Sequence, residues 1–202
     1  MLVAQSIHPV IGVFEVVLRN SIYNTISNYF QDENWIVNQK EGFMSDKALV
    51  FRNNPSKISK RNDFLKKEVL KAEKKLKLKY SNTPSMSINS GNIIAEQSFG
   101  FWTNFFEPHH YKILKGKPIQ IFRDLPQGVG RKEILNKLNA IRQFRNRINH
   151  NEPICFVNNK FSYSEIEAIH HSIYELLNYI DERILDFVKT IDKTEETLNH
   201  LR

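Results

Sequence analysis

A single cysteine, Cys155, stands in a chain of 202 residues, so no intramolecular disulfide can form. Neither does any Cys/His spacing resemble a zinc site. No metal and no cofactor are therefore expected, and a thiol-poor chain of this kind fits a cytoplasmic protein. Glycine and proline are also scarce, seven of each, and fall mostly between periodic segments, as suits helices. Uninterrupted apolar runs of the roughly 18 to 20 residues that a membrane span needs are missing, which leads to the expectation of a soluble protein with no membrane partner. The opening MLVAQSIHPVIGVFEVVLRN has no basic residues ahead of its apolar ones and does not read as a signal peptide. No stretch alternates convincingly with period two. The expectation is an all-α fold.

What is present is a good supply of core material. Fourteen Phe, seven Tyr and 41% hydrophobic residues argue against wholesale disorder, and the length suits one domain spanning 1–202. Apolar periodicity predicts a first helix from Val10 to Phe30 and less regular structure from Gln31 to Pro55. A basic helix comes next, from Ser56 or Ser59 to about Lys79. Ser90 to Phe106 reads as another helix, whose aromatic half (Phe99, Phe101, Trp102, Phe105, Phe106) could stack bases but has the helical spacing of core packing, the favoured reading. Glu107 to Gly130 reads as an irregular connector. The adjacent His109 and His110 within it diverge on any regular element and lack further ligands. A central helix around Ile134 to His150 stops before Pro153, Asn158 and Asn159 make a turn, and a last long helix begins at Ser162 or Ser164 and runs to about Val188. Beyond it, at about 190–202, the apolar density falls and a frayed or partner-bound charged tail is expected. The sum is a bundle of four or five principal helices with an irregular connector.

Charge is unevenly distributed. Ten Lys/Arg against three acidic residues between Lys57 and Lys79 account for the whole net charge of +7. Lys60, Arg61, Lys66, Lys67, Lys71, Lys74 and Lys75 form a candidate surface for RNA phosphates, with a solvated helix face as the plainer alternative.

Two charges fall where apolar residues belong. On the central helix Ile134, Leu138, Ile141 and Ile148 lie within about 40° of one meridian, and Arg145 lies at about 20°, in the middle of that stripe. On the first helix Glu15 lies among Ile11, Leu18, Ile22 and Ile26. A charge on a buried stripe costs several kcal/mol unless it is paired or faces a polar cleft. Arg145 could snorkel or form a structural ion pair. Glu15 could pair with Arg19, four residues on, or with Arg145 in a polar pocket shared by the two helices.

The residues around Arg145 carry a resemblance. Arg145-Asn146-x-x-x-His150 at a helix end is similar to the signature of the HEPN superfamily of all-helical ribonucleases. The longer run Arg142-x-x-Arg145-Asn146-Arg147-Ile148-x-His150-x-Glu152-Pro153-Ile154 resembles the Abi-like, abortive-infection branch of that superfamily. Glu15-x-x-Leu18-Arg19-Asn20 and Ser98-Phe99-Gly100-Phe101-Trp102 resemble further elements of the same family. The resemblance implies a HEPN-like bundle and a metal-independent endoribonuclease of a bacterial defence or toxin–antitoxin system. It implies a homodimer with the site shared between two copies, and cleavage to a 2′,3′-cyclic phosphate and a 5′-hydroxyl. Possible neutralising partners are an antitoxin protein or a small RNA.

The residue types suit that chemistry. His150 is an acid or base near neutral pH that can take the proton of a ribose 2′-OH. Arg145 offers planar donors to phosphate oxygens, and Asn146, four residues before His150, can orient the ring or bind substrate. Glu15, Arg19, Asn20, Arg142 and Arg147 are the supporting candidates. On an unbroken helix, however, Arg145 and His150 diverge by about 140°. Convergence needs either unwinding before Pro153 or a second copy. A non-catalytic RNA-binding protein and a structural helical interaction protein remain the alternatives.

Overall fold

The computed structural model describes residues 2–51, 60–81, 88–157 and 160–202. Helix α1 spans Leu2–Phe30, with Val3, Ile7, Val10, Ile11, Phe14, Leu18, Ile22 and Ile26 buried at helical spacing. The helix thus begins well before Val10 and carries Pro9 inside it. A proline in a helix interior costs about 3 kcal/mol. Burying Val3 and Ile7, each contributing about 1.5–3 kcal/mol, offsets that cost. By length and mean composition α1 is also apolar enough to cross a membrane, with 33% of the qualifying window buried inside the fold. The requirement of an unbroken apolar run had excluded such a segment; an average over a helix does not.

The chain packs as two compact units, Met1–Asn20 with Ile121–Arg202, and Ser21–Gln120. In the second unit α2 (Trp35–Asn38) and two short 3₁₀ turns lead to a small ladder of β1 (Val50–Phe51) and β2 (Lys60–Arg61), antiparallel with Phe51 opposite Lys60. The basic helix α3 runs Phe64–Lys79 and buries Leu65, Val69, Ala72 and Leu76. It therefore starts later than the charge pattern implied. Lys60 and Arg61 lie on β2 and not on the helix, and residues 57–59 lie outside the described residues. The aromatic helix expected over Ser90 to Phe106 is broken into α4 (Ser90–Ala95), opened by an Asn89–Asn92 capping box, and α5 (Phe99–Thr103), preceded by Ser98 in extended geometry. Its rings are core. Phe101, Trp102 and Phe105 are at most 2% exposed, and Phe105 packs against Trp35 with centroids 5.7 Å apart. The connector contains α6 (Pro108–Ile113), where His110 is fully buried and burial pulls its pKa down to about 4.

The other unit is built on α7 (Arg131–Asn149), a ladder of β3 (Phe156–Val157) with β4 (Lys160–Phe161), α8 (Ser164–Ile180), α9 (Glu182–Ile191) and α10 (Thr194–His200). Ile134, Leu138, Ile141 and Phe144 of α7 are buried, as are Ile166, Ile169, Ile173, Leu176 and Leu177 of α8. Lys137 joins these two helices through Glu175 at 2.6 Å. Two sequence expectations change here. The last long helix breaks at Asp181 (φ −168°), whose carboxylate accepts from the Arg183 backbone at 3.0 Å and starts α9. Hydrogen bonds from Arg183 hold Asp181 down at about 2. The charged tail is not frayed either, since α10 buries Thr194 and Leu198. Helices make up 73% of the fold and the strands among the described residues are two-residue pairs, so the chain is all-α.

Candidate functional site

Arg145 and Glu15 meet. Arg145 Nε lies 2.6 Å from Glu15 Oε1, and Nη2 donates to Oε2 at 3.4 Å. The shorter approach lies off the N–H axis, since Oε1 accepts no hydrogen bond among the described residues. The contact is an electrostatic pair rather than a bidentate fork. Both side chains keep a solvent-facing part, 31% and 24% exposed. The charge that interrupts the stripe of α7 is therefore matched by the charge that interrupts the stripe of α1.

Arg19 does not take that role. Its Nε donates to the Asn20 side chain at 3.3 Å, and Asn20 is exposed. Arg142 is half-buried, with its Nε buried and unpartnered among the described residues. Asn146 and His150 are both exposed. Because α7 is continuous through Asn149, Arg145 and His150 stay about 140° apart around its axis. Unwinding before Pro153 does not bring them together.

The end of α7 has its own physical account. His150 caps it, and Asn151 adopts the left-handed conformation at φ 55°. The Asn151 N–H bonds to the Ile148 carbonyl at 3.0 Å and the Glu152 N–H to the Arg147 carbonyl at 2.9 Å, the two bonds of a Schellman motif. Arg147 fastens the segment beyond this turn. It donates to both oxygens of Glu165 at 2.6 Å, reaches the Pro153 carbonyl, and lies 3.8 Å from Glu152. Read from sequence as a supporting site residue, Arg147 is occupied in holding the turn after α7 against the start of α8.

The basic helix belongs to the other unit, and much of its charge is matched there. Lys66 pairs with Glu41 at 2.7 Å, Lys67 with Asp63 at 2.9 Å and Lys75 with Glu96 at 2.5 Å, while Lys71 lies 3.8 Å from Glu68. Lys74 is exposed, with no acidic partner among the described residues. Glu41 and Glu96 lie outside the 57–79 window, which is why a local charge count overstated the free positive surface.

No family model, curated protein or solved structure matches the chain.

Sequence reasoning missed a second polar cluster. Asp192 Oδ2 accepts from Tyr174 at 2.5 Å and bonds to His170 Nε2, and its Oδ1 accepts from the Thr194 backbone at 2.8 Å. Burial works against ionisation of Asp192, but hydrogen bonds from His170, Thr194 and Tyr174 outweigh it and hold the carboxyl below the usual range. Burial first, and then the same carboxylate, push the Tyr174 hydroxyl up. The cluster ties the start of α10 to α8. The signal was legible, for His170 and Tyr174 are four apart on one face, but the tail holding Asp192 read as frayed or partner-bound. Among the described residues no group of three or more His, Cys, Asp or Glu is arranged to hold a metal ion.

Proposed function

We propose that the chain is a HEPN-type, metal-independent endoribonuclease of a bacterial abortive-infection or toxin–antitoxin system, with Arg145, Asn146 and His150 as its working residues. It acts in the cytoplasm on RNA as a homodimer, with an antitoxin protein or a small RNA as its neutralising partner. The observation that carries the reading is the placement of Arg145. A carboxylate holds the guanidinium in position while the Arg145 side chain as a whole stays 31% exposed, on the same helix that ends in an exposed His150. In this mechanism His150 takes the proton from the 2′-OH, whose oxygen attacks the adjacent phosphorus. The 5′-oxygen leaves and takes a proton from water to become the 5′-hydroxyl, and Arg145 stabilises the charge on the phosphate oxygens. Since the two side chains diverge on one helix, the working site combines Arg145 of one copy with His150 of another.

The same ion pair also favours a second reading, in which Arg145–Glu15 is structural and the chain is a helical interaction protein. A nuclease assay on total RNA in EDTA separates them. The expected result is cleavage leaving 2′,3′-cyclic phosphate ends, abolished by His150→Ala with the helical circular dichroism intact. Full activity in a soluble His150→Ala protein would overturn the catalytic reading.

A further inference from the structure

Arg142 has no counter-charge among the described residues. It is half-buried, its Nε is buried without an acceptor, and it makes no hydrogen bond or ion pair with any of them. Its neighbours one turn away on α7 are Leu138, Asn139, Arg145 and Asn146, none of them acidic. A buried N–H with no acceptor is unfavourable, and two guanidiniums one turn apart on a helix repel. Glu15 relieves only Arg145.

The first helix adds to the imbalance. Ala4 shares a cavity with Ile148 and Asn151, whereas Glu15 meets Arg145 further back along α7. The two helices therefore run in opposite senses. Arg19, one turn beyond Glu15, comes toward the turn of α7 that carries Arg142, and its hydrogen bond goes to the uncharged side chain of Asn20. Three guanidiniums on this face thus share one carboxylate. The compact unit as a whole carries no net charge, so the excess belongs to these side chains alone.

An anion with several oxygens would satisfy what the fold leaves open, and the planar fork of arginine matches phosphate oxygens. Arg142 and Arg145 are about 60° apart around α7, with Cβ atoms about 5–6 Å apart at that spacing. Their long side chains can meet two neighbouring phosphates of one strand. We infer that Arg142 binds the phosphate next to the scissile one, so that Arg145 and Arg142 hold two successive phosphodiesters of the RNA backbone, with Arg19 beside them. The inference rests on the ribonuclease reading and adds a substrate-binding residue outside the Arg145–His150 motif.

The test uses full-length His150→Ala protein, to measure binding without cleavage, and a short RNA whose cleavage site has been mapped with the unsubstituted protein. Each phosphate flanking that site is replaced in turn by an uncharged methylphosphonate. Arg142→Ala should weaken binding by about ten-fold or more, and should lower the slope of log affinity against log salt by about 0.7. Arg142→Lys should keep the slope, which separates loss of charge from loss of folding. Should Arg142→Ala fail to fold, Arg142→Gln takes its place. One flanking methylphosphonate should weaken binding by the parent protein and cost the Arg142→Ala protein nothing more. With His150 restored, Arg142→Ala should raise KM and leave kcat little changed, because a non-reacting phosphate is held equally before and during the reaction. If no flanking methylphosphonate weakens the parent, or if its effect and that of Arg142→Ala add in full, Arg142 touches no flanking phosphate: the inference is overturned and the ribonuclease reading stands. If no RNA binds and none is cleaved by the unsubstituted protein, both fail.

Discussion

At the scale of the residue, Arg145 shows how a charge can sit on an apolar stripe. It is neither fully buried nor free: both side chains keep a solvent-facing part, while the Glu15 Oε1 that Arg145 approaches is itself buried. Arg145→Ala, which leaves that oxygen without its cation, is expected to lower stability by about 1–3 kcal/mol, while removing RNA cleavage altogether. Urea denaturation and the nuclease assay read the two effects separately, and a variant that stays active would count for the structural role. Asn151 makes the opposite case, a residue chosen for its backbone. At φ 55°, Asn151→Gly should leave stability unchanged or slightly raised, whereas Asn151→Val should cost about 1–3 kcal/mol by straining the turn that closes α7. Equal melting temperatures for the two variants would contradict this account of the turn.

At the scale of the element, the C-terminal helix depends on one carboxylate. The Asp192 side chain is 5% exposed and receives His170, Tyr174 and Thr194. Because its folded pKa is depressed, the stability it contributes is fully present above the unfolded value of about 3.9 and is lost as pH falls below that toward the folded value. Asp192→Asn is expected to destabilise the protein at neutral pH by about 2–3 kcal/mol, through the lost charge-assisted bonds, and by less as the solution is acidified below pH 4. Denaturation midpoints measured from pH 7 down to pH 3 test the convergence, and parallel curves for the two proteins would refute it. Hydrogen exchange in α10 should rise first in the variant. The mild consequence expected of a frayed tail would appear instead as unchanged exchange outside residues 194–200.

At the scale of the whole molecule, the divergence of Arg145 and His150 on an unbroken helix makes assembly the central question. The proposed homodimer is isologous, so the surface around His150 meets its own copy across a twofold axis. Sedimentation at micromolar concentration should give a dimer. Mixing Arg145→Ala with His150→Ala protein should restore part of the activity that each lacks, because a mixed dimer contains one complete pair. No recovery after demonstrated subunit exchange would confine each site to a single chain and remove the composite arrangement.

The sequence by itself was enough for the helical class and for the stripes of α1 and α7, because apolar spacing and the scarcity of glycine and proline are local properties that propensity tracks. It also showed that Glu15 and Arg145 are misplaced charges, since a stripe makes an intruder visible. Which cation Glu15 would take was left open between a neighbour four residues away and a partner 130 positions away, and only packing chose Arg145 over Arg19. The assignment of Arg147 to the turn after α7, the pairing of Lys66 with Glu41 and of Lys75 with Glu96, and the burial of Asp192 were likewise decided by tertiary structure. Each joins residues far apart in the chain, and no periodicity along a single helix carries information about which distant side chain will complete a charge.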